Sequence, residues 1–224
     1  MSELTRRLEG LVLRLDHMGM RVEQAVIDAL AALESFDVAA ARTVDEHDAV
    51  IDREEVEIEQ ECIRLLALYQ PAAVDLRTIC TIIKVNSDLE RIADLASTIS
   101  RAIPQIALAE LGLDGLSEFA QLKRRVLDVL GKTTRMLSVT DADSAHRIIE
   151  LDRQVDRDYH AMIQSVLHSN MPSTHDFKAV MAVMNVAKAL ERIGDLCTNI
   201  AEDVIFLRTG DIVRHPGAFE ERRD

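Results

Sequence analysis

Apolar residues along this chain recur at spacings of three and four, the period that lines one face of an α-helix. Ile82, Val85, Leu89, Ile92, Ala96, Ile99 and Ile103 form one stripe. Val183, Val186, Leu190, Ile193, Cys197, Ile200, Val204 and Leu207 form another, about one hundred residues later. The same period predicts six long helices, over Leu4–Leu33, Val38–Tyr69, Ala73–Ile103, Leu116–Leu137, Ala142–Leu167 and His175–Leu207. Ser35-Phe36-Asp37 and Gln70-Pro71 break the first half, and Pro104 is expected to end its third helix, because proline removes a helix donor and crowds the preceding turn. Ser173 with Asp176 resembles a capping box at the start of the last helix.

The two stripes belong to two copies of one unit. Leu89-Glu90-Arg91-Ile92-Ala93-Asp94-Leu95 returns as Leu190-Glu191-Arg192-Ile193-Gly194-Asp195-Leu196, matching at six of seven positions with an offset of 101. Pro71 maps onto Pro172 in the same way, and Ile51-Asp52-Arg53 lies 100 residues before Leu151-Asp152-Arg153. Long helices with short connections fold up-down-up, so each copy reads as a three-helix bundle. The fold class is therefore all-α: two tandem three-helix bundles related by an internal duplication, over residues 1–104 and 116–210, joined by 105–115 and followed by a tail, 211–224. At about 1.5 Å per residue a thirty-residue helix is about 45 Å long, which makes each bundle slender.

Composition agrees and narrows the partners. Eight glycines and four prolines in 224 residues cannot supply the turns of a barrel or sandwich. A net charge of -13 repels nucleic acid and anionic lipid, so no nucleic-acid partner is expected; it attracts cations or a basic partner surface. Glu9, Arg14 and Asp16 interrupt the N-terminal apolar stretch, and no run of 18 apolar residues occurs, which points to a cytoplasmic protein. Cys62, Cys80 and Cys197 are far apart and odd in number, as expected of reduced thiols; Cys62 and Cys197 fall on apolar stripes.

Candidate chemistry lies in paired carboxylates. Successive residues of a helix turn by about 100°, so Glu90 and Asp94 sit about 140° around from the Leu89, Ile92, Ala96 stripe, one turn apart on one side. Glu191 and Asp195 repeat that geometry. Asp48 with Asp52, and Asp152 with Asp156, are further i, i+4 pairs that flank the apolar stripes of the second and fifth helices, where helix seams fall. A seam pair and its neighbour's outer pair together place up to four carboxylates at one surface site, a donor set for a hard cation or an iron cluster. The alternative for any one pair is a solvated face on which Arg91 or Arg192 salt-bridges the aspartate at i, i+3. Retention of Glu-Arg-Ile-x-Asp in both halves favours a function. No Glu-x-x-His occurs, which disfavours the ferritin-like di-iron bundle. Asp143 reads as part of a helix cap, and His160 as an exposed histidine rather than a further ligand to Asp156. Without a P-loop, a dinucleotide-binding fingerprint, a nucleophile elbow or a zinc-protease motif, no enzyme is expected.

Three features together resemble the PhoU family of phosphate-transport accessory and regulatory proteins. They are the duplicated motif, the segment Gln70-Pro71-Ala72-Ala73-Val74-Asp75-Leu76-Arg77, and the ending Thr209-Gly210-Asp211-Ile212-Val213-Arg214-His215; Met18-Gly19 and the stretch Asp48 to Cys62 also fit. The resemblance covers residues 1 to about 215. It implies two bundles related by a pseudo-twofold, with surface metal clusters, often iron, on Glu90, Asp94, Glu191 and Asp195, joined here by Asp48, Asp52, Asp152 and Asp156. Zinc, manganese and magnesium are the other candidate ions. It implies restraint of the phosphate-starvation response through the ATPase subunit of the phosphate ABC transporter and the phosphate sensor histidine kinase, with homodimer formation, and a place at the membrane only through those partners. One departure is Ala93, where the family usually has glycine; if the glycine admits a neighbouring helix, the second site, which keeps Gly194, is expected to be the tighter. Two rival readings stay open: a structural adaptor whose acidic faces meet arginines of a partner without metal, and a metal-dependent hydrolase, which needs a pocket beside the motifs.

Overall fold

The computed structural model describes residues 2–108, 117–139, 141–168 and 174–213, and these form six α-helices with no strand among them. They are α1 (Glu3–Ser35), α2 (Val38–Tyr69), α3 (Ala73–Leu108), α4 (Ser117–Val139), α5 (Ala142–His168) and α6 (Thr174–Thr209). Local chemistry sets the boundaries. The Ser2 hydroxyl accepts from the Thr5 amide, and Asp37 accepts from the amides of Ala39 and Ala40, satisfying donors that a helix start leaves free. Phe36 and Gln70 end α1 and α2 in the left-handed region, at φ 53° and 43°, and Gly210 ends α6 at φ 83°. Asp141, rather than Asp143, caps α5 by accepting from the Ser144 amide at 2.9 Å. The capping pair anticipated at Ser173, the link around Gly112–Gly115 and the tail beyond 213 lie outside the described residues.

Pro104 does not end α3, which continues to Leu108. Proline costs the bond its amide would make to the Ser100 carbonyl. Ile103 and Ile106, on either side of it, are both fully buried, so the last turn is held by packing instead.

α2 packs on α1 and α3, and α5 on α4 and α6, giving two three-helix bundles. The bundles meet through α3 on α6 and α1 on α4. Both meetings are antiparallel. Lys84 near the start of α3 donates to Asp203 near the end of α6 at 3.1 Å, and Gly210 sits against the Arg77 guanidinium. Across the other pair Ser138 donates to Asp16 at 2.7 Å, while Lys123 pairs with Glu34. Gly19 lets α4 approach there: a Cβ at that position would stand 3.2 Å from Leu137. Antiparallel contact between equivalent helices generates an approximate twofold between the halves. One continuous core runs through both, from Leu11, Val22 and Leu33 through Ile58, Ile92 and Ile99 to Leu122, Val155 and Ile193. Cys62 and Cys197 belong to it, and burial pushes both thiols up to about 12. No helix among the described residues is long and apolar enough to cross a membrane.

Gly194 carries a close approach of α5 to α6. A Cβ there would lie 3.0 Å from Cγ1 of the fully buried Val155, whose β-branched side chain has little rotamer freedom in a helix. Its counterpart Ala93 is buried with its methyl group accommodated. We therefore expect Gly194→Ala to destabilise by about 1 kcal/mol in urea unfolding, overpacking outweighing the ~1 kcal/mol helix preference of alanine. In a Val155→Ala background the same change should stabilise. A gain in the native background would show that no such contact constrains the helix pair.

Candidate functional site

The i, i+4 carboxylates assemble at the two outer seams of the molecule. In the first half, Asp48 and Asp52 on α2 face Glu90 and Asp94 on α3. Burial pushes the Glu90 carboxyl up to about 6, helped by the charges of Asp94, Asp52, Glu55 and Asp48. Asp48 is raised as well, by burial and then by Asp52 and Asp94. In the second half, Asp152 and Asp156 on α5 face Glu191 and Asp195 on α6. Asp156, Glu191 and Asp195 each place an oxygen within 4.8 Å of the others. Burial pushes Asp195 up to about 6, with Glu191, Asp152 and Asp156 adding to the shift and Lys188 opposing it. Asp152 is raised by burial and by Asp156.

Each pair therefore occupies a seam. All eight acidic residues singled out from the sequence fall at these two places, half-buried or at the rim. Their equivalence differs from the sequence match of residues 51–53 with 151–153. Ser97 lies beside Asp48, and Thr198, its counterpart 101 residues on, lies beside Asp152. Asp48 thus corresponds to Asp152 and Asp52 to Asp156, 104 residues apart, so the offset of 100 is out of register for this helix pair.

Residues that the spacing argument passed over complete the picture. Glu55, one turn beyond Asp52, joins the first cluster, and burial raises its carboxyl. The Ser97 and Thr198 hydroxyls partly counter the upward shifts of Asp48 and Asp152, but neither reaches hydrogen-bond geometry. Both hydroxyls, and Oδ1 of Asp152, stay buried without a hydrogen-bond partner. Their signal in the sequence was a hydroxyl three residues after each motif aspartate. The second cluster differs in holding its own cation. Lys188 Nζ donates to both oxygens of Glu191 at 2.7 Å and stands 5.4 Å from the centre of the Tyr159 ring. Ser87 occupies the corresponding place in the first half.

Neither motif arginine salt-bridges its aspartate at i, i+3. Arg91 lies 3.4 Å from Asp88, one turn earlier, and Arg192 makes no ion pair among the described residues. His160 is exposed, its Nδ1 2.7 Å from the Asp156 carbonyl oxygen, and stands outside the cluster. Between the two clusters, α3 and α6 form a polar cleft of about 630 Å³ with Asp94 on one wall and Asp195 on the other. Arrays of half-desolvated carboxylates with orphaned oxygens fit the donor set of a hard cation.

Comparison with known proteins follows the same duplication. The PhoU domain matches twice, at residues 15–103 and 119–204. The phosphate-specific transport system accessory protein PhoU of Serratia marcescens is 33% identical over 217 residues, 96% of this chain and 88% of that protein. The crystal structure of PhoU from Pseudomonas aeruginosa superposes with a TM-score of 0.88 at 35% identity, covering 93% of this chain and all of that one. The phosphate transport system regulatory protein PhoU from Streptococcus pneumoniae gives 0.84 at 28% identity, over 94% of this chain and 99% of that chain.

The raised carboxyls set a pH dependence in metal-free protein. A carboxyl whose folded pKa exceeds its ordinary value binds its proton more tightly when folded, so it favours folding below the ordinary value and loses that contribution as pH rises. For Glu90 and Asp195 the ordinary values are 4.5 and 3.8, and the loss runs from these values up to about 6. In chelator, the protein should melt at a higher temperature at about pH 5 than at about pH 7.5. The double variant Glu90→Gln, Asp195→Asn should melt higher than the parent at the upper pH and show a smaller difference between the two. An unchanged difference would mean that these carboxyls are not desolvated.

Proposed function

The chain belongs to the PhoU family, and from that premise we propose that it is a cytoplasmic, non-enzymatic regulator that restrains the phosphate-starvation response and phosphate uptake. It does so by contact with the ATPase subunit of the phosphate ABC transporter and with the phosphate sensor histidine kinase, with metal ions, iron first among them, on its two acidic seams. It works as a homodimer. The observation that carries the metal reading is the convergence of the duplicated carboxylates. Glu90, Asp94, Asp48 and Asp52 gather at one seam and Glu191, Asp195, Asp152 and Asp156 at the other, with partly desolvated members and orphaned oxygens at matched places. Solubility alone asks for solvated charge, not for carboxylates driven together against their own repulsion. A bound cation neutralises that repulsion and changes the surface that a partner meets.

The halves are unequal. The first seam has Glu55 in addition and no lysine at the place of Lys188, so it offers a cation more negative charge. The second is tightened by the Gly194–Val155 approach, but a metal at Glu191 displaces the Lys188 ammonium. A metal-free adaptor draws support from that ion pair, since Lys188 already supplies part of the countercharge.

Metal content of the purified chain after dialysis separates the two. The parent is expected to retain metal, and the variant Glu90→Gln, Asp94→Asn, Glu191→Gln, Asp195→Asn to fall to background. Full metal content in that variant overturns the site. Binding to the purified ATPase subunit should weaken in chelator; binding indifferent to chelator favours the adaptor. The cleft beside Asp94 and Asp195 supplies the pocket a hydrolase needs, so turnover of p-nitrophenyl phosphate by the metal-loaded chain would replace the regulatory reading with that one.

A further inference from the structure

The duplicated motif keeps an arginine as well as its acids, and coordination of a cation gives that arginine no task. Arg91 and Arg192 are equivalent positions, and the antiparallel packing of α3 on α6 turns both into the same cleft. The other walls repeat the pairing: Leu95 with Leu196, and Thr98 with Asn199. Arg101 adds a third guanidinium. Two of these cations are only lightly engaged, and the third is held by an exposed acid. Arg91 is 62% exposed with its acid at 3.4 Å, Arg101 reaches sideways to Asp45 at 2.7 Å, and Arg192 has no ion pair among the described residues. In a chain of net charge -13, this cleft is lined by three arginines against two aspartates, a lining of net positive charge.

We infer that the α3–α6 cleft is a binding site for a phosphate-class oxyanion, gripped by Arg91, Arg192 and Arg101 from both halves of the duplication. Guanidinium is the side chain suited to this ligand, because its planar fork donates two parallel hydrogen bonds to a pair of oxygens and never loses its charge. Thr98 and Asn199 add neutral donors. A cleft of about 630 Å³ exceeds the needs of one small ion, and so admits a chain of phosphoryl groups as well as the free ion. Asp94 and Asp195 on the walls oppose an anion while they are bare. Resting on the metal reading above, a cation at each seam cancels that repulsion and tightens the oxyanion, and the oxyanion must tighten the cation by the same factor.

Titration calorimetry on the full chain tests this, with manganese(II) as the metal probe and inorganic phosphate and tripolyphosphate as anion probes. The parent is expected to bind at least one of the anions, more tightly when manganese is loaded. Phosphate binding identifies the free ion as occupant, and binding of tripolyphosphate alone identifies linked phosphoryl groups. The variant Arg91→Gln, Arg192→Gln, both at exposed positions, should weaken the anion by about tenfold or more per arginine and leave manganese affinity in the absence of anion unchanged. No anion binding to the loaded and the metal-free chain overturns the assignment. So does binding that ignores the arginine substitutions, which would put the anion on the metals alone. Arginine-dependent binding by a chain that takes no metal upholds the cleft and removes the metal reading instead.

Discussion

Packing α3 on α6 in antiparallel register is the constraint from which the rest of the molecule follows. These two helices share the most extensive contact among the described elements, and each must also present a face to its own bundle. A helix that buries two faces has one sector left for polar side chains. In α3 that sector runs from Glu90 at the α2 seam, through Asp94, to Arg91, Thr98 and Arg101 at the cleft. In α6 the equivalent residues, Glu191, Asp195, Arg192 and Asn199, are related to these by the approximate twofold. The outer acids and the central arginines are thus neighbours by construction, and charge on either seam is felt in the cleft between them.

The seams hold carboxylates at a cost. Burial comes first among the causes that raise Glu90, Asp195, Asp48 and Asp152, ahead of every neighbouring charge. Desolvated like charges oppose folding unless a counterion or a proton relieves them. The second half relieves part of it with Lys188, held between Glu191 and the Tyr159 ring. The first half has Ser87 and Glu55 at the matching places, so its unrelieved charge is greater. Duplication supplied two equal seams, and divergence has made them unequal.

The helices and their limits were legible because their causes are local. Apolar period, a cap such as Asp37 and a left-handed stop such as Gln70 act within one or two turns, so the second helix was placed residue for residue. The third was not, because Pro104 is a local stop signal overridden by burial of Ile103 and Ile106. For the site, the motif and the i, i+4 spacing brought out eight of the acids that line the seams, but not Glu55. The correspondence between α2 and α5 was missed. Identity of Asp52-Arg53 with Asp152-Arg153 is a short coincidence, whereas the true register is three residues shorter in the second half and shows only through what Ser97 and Thr198 touch. Glu55 was missed for the same reason: its membership depends on which helix faces it.

By itself the sequence determined that the chain is helical, duplicated and acidic, and which residues carry repeated chemistry, because period, identity and charge are properties of the chain order. Only the tertiary structure decided which faces meet. The i, i+3 rule joined each motif arginine to its own aspartate, but α3 and α6 lie antiparallel and turn Arg91 and Arg192 into a shared cleft instead. Partnership between side chains about one hundred residues apart is set by helix crossing and register, and those arise from packing the whole core at once.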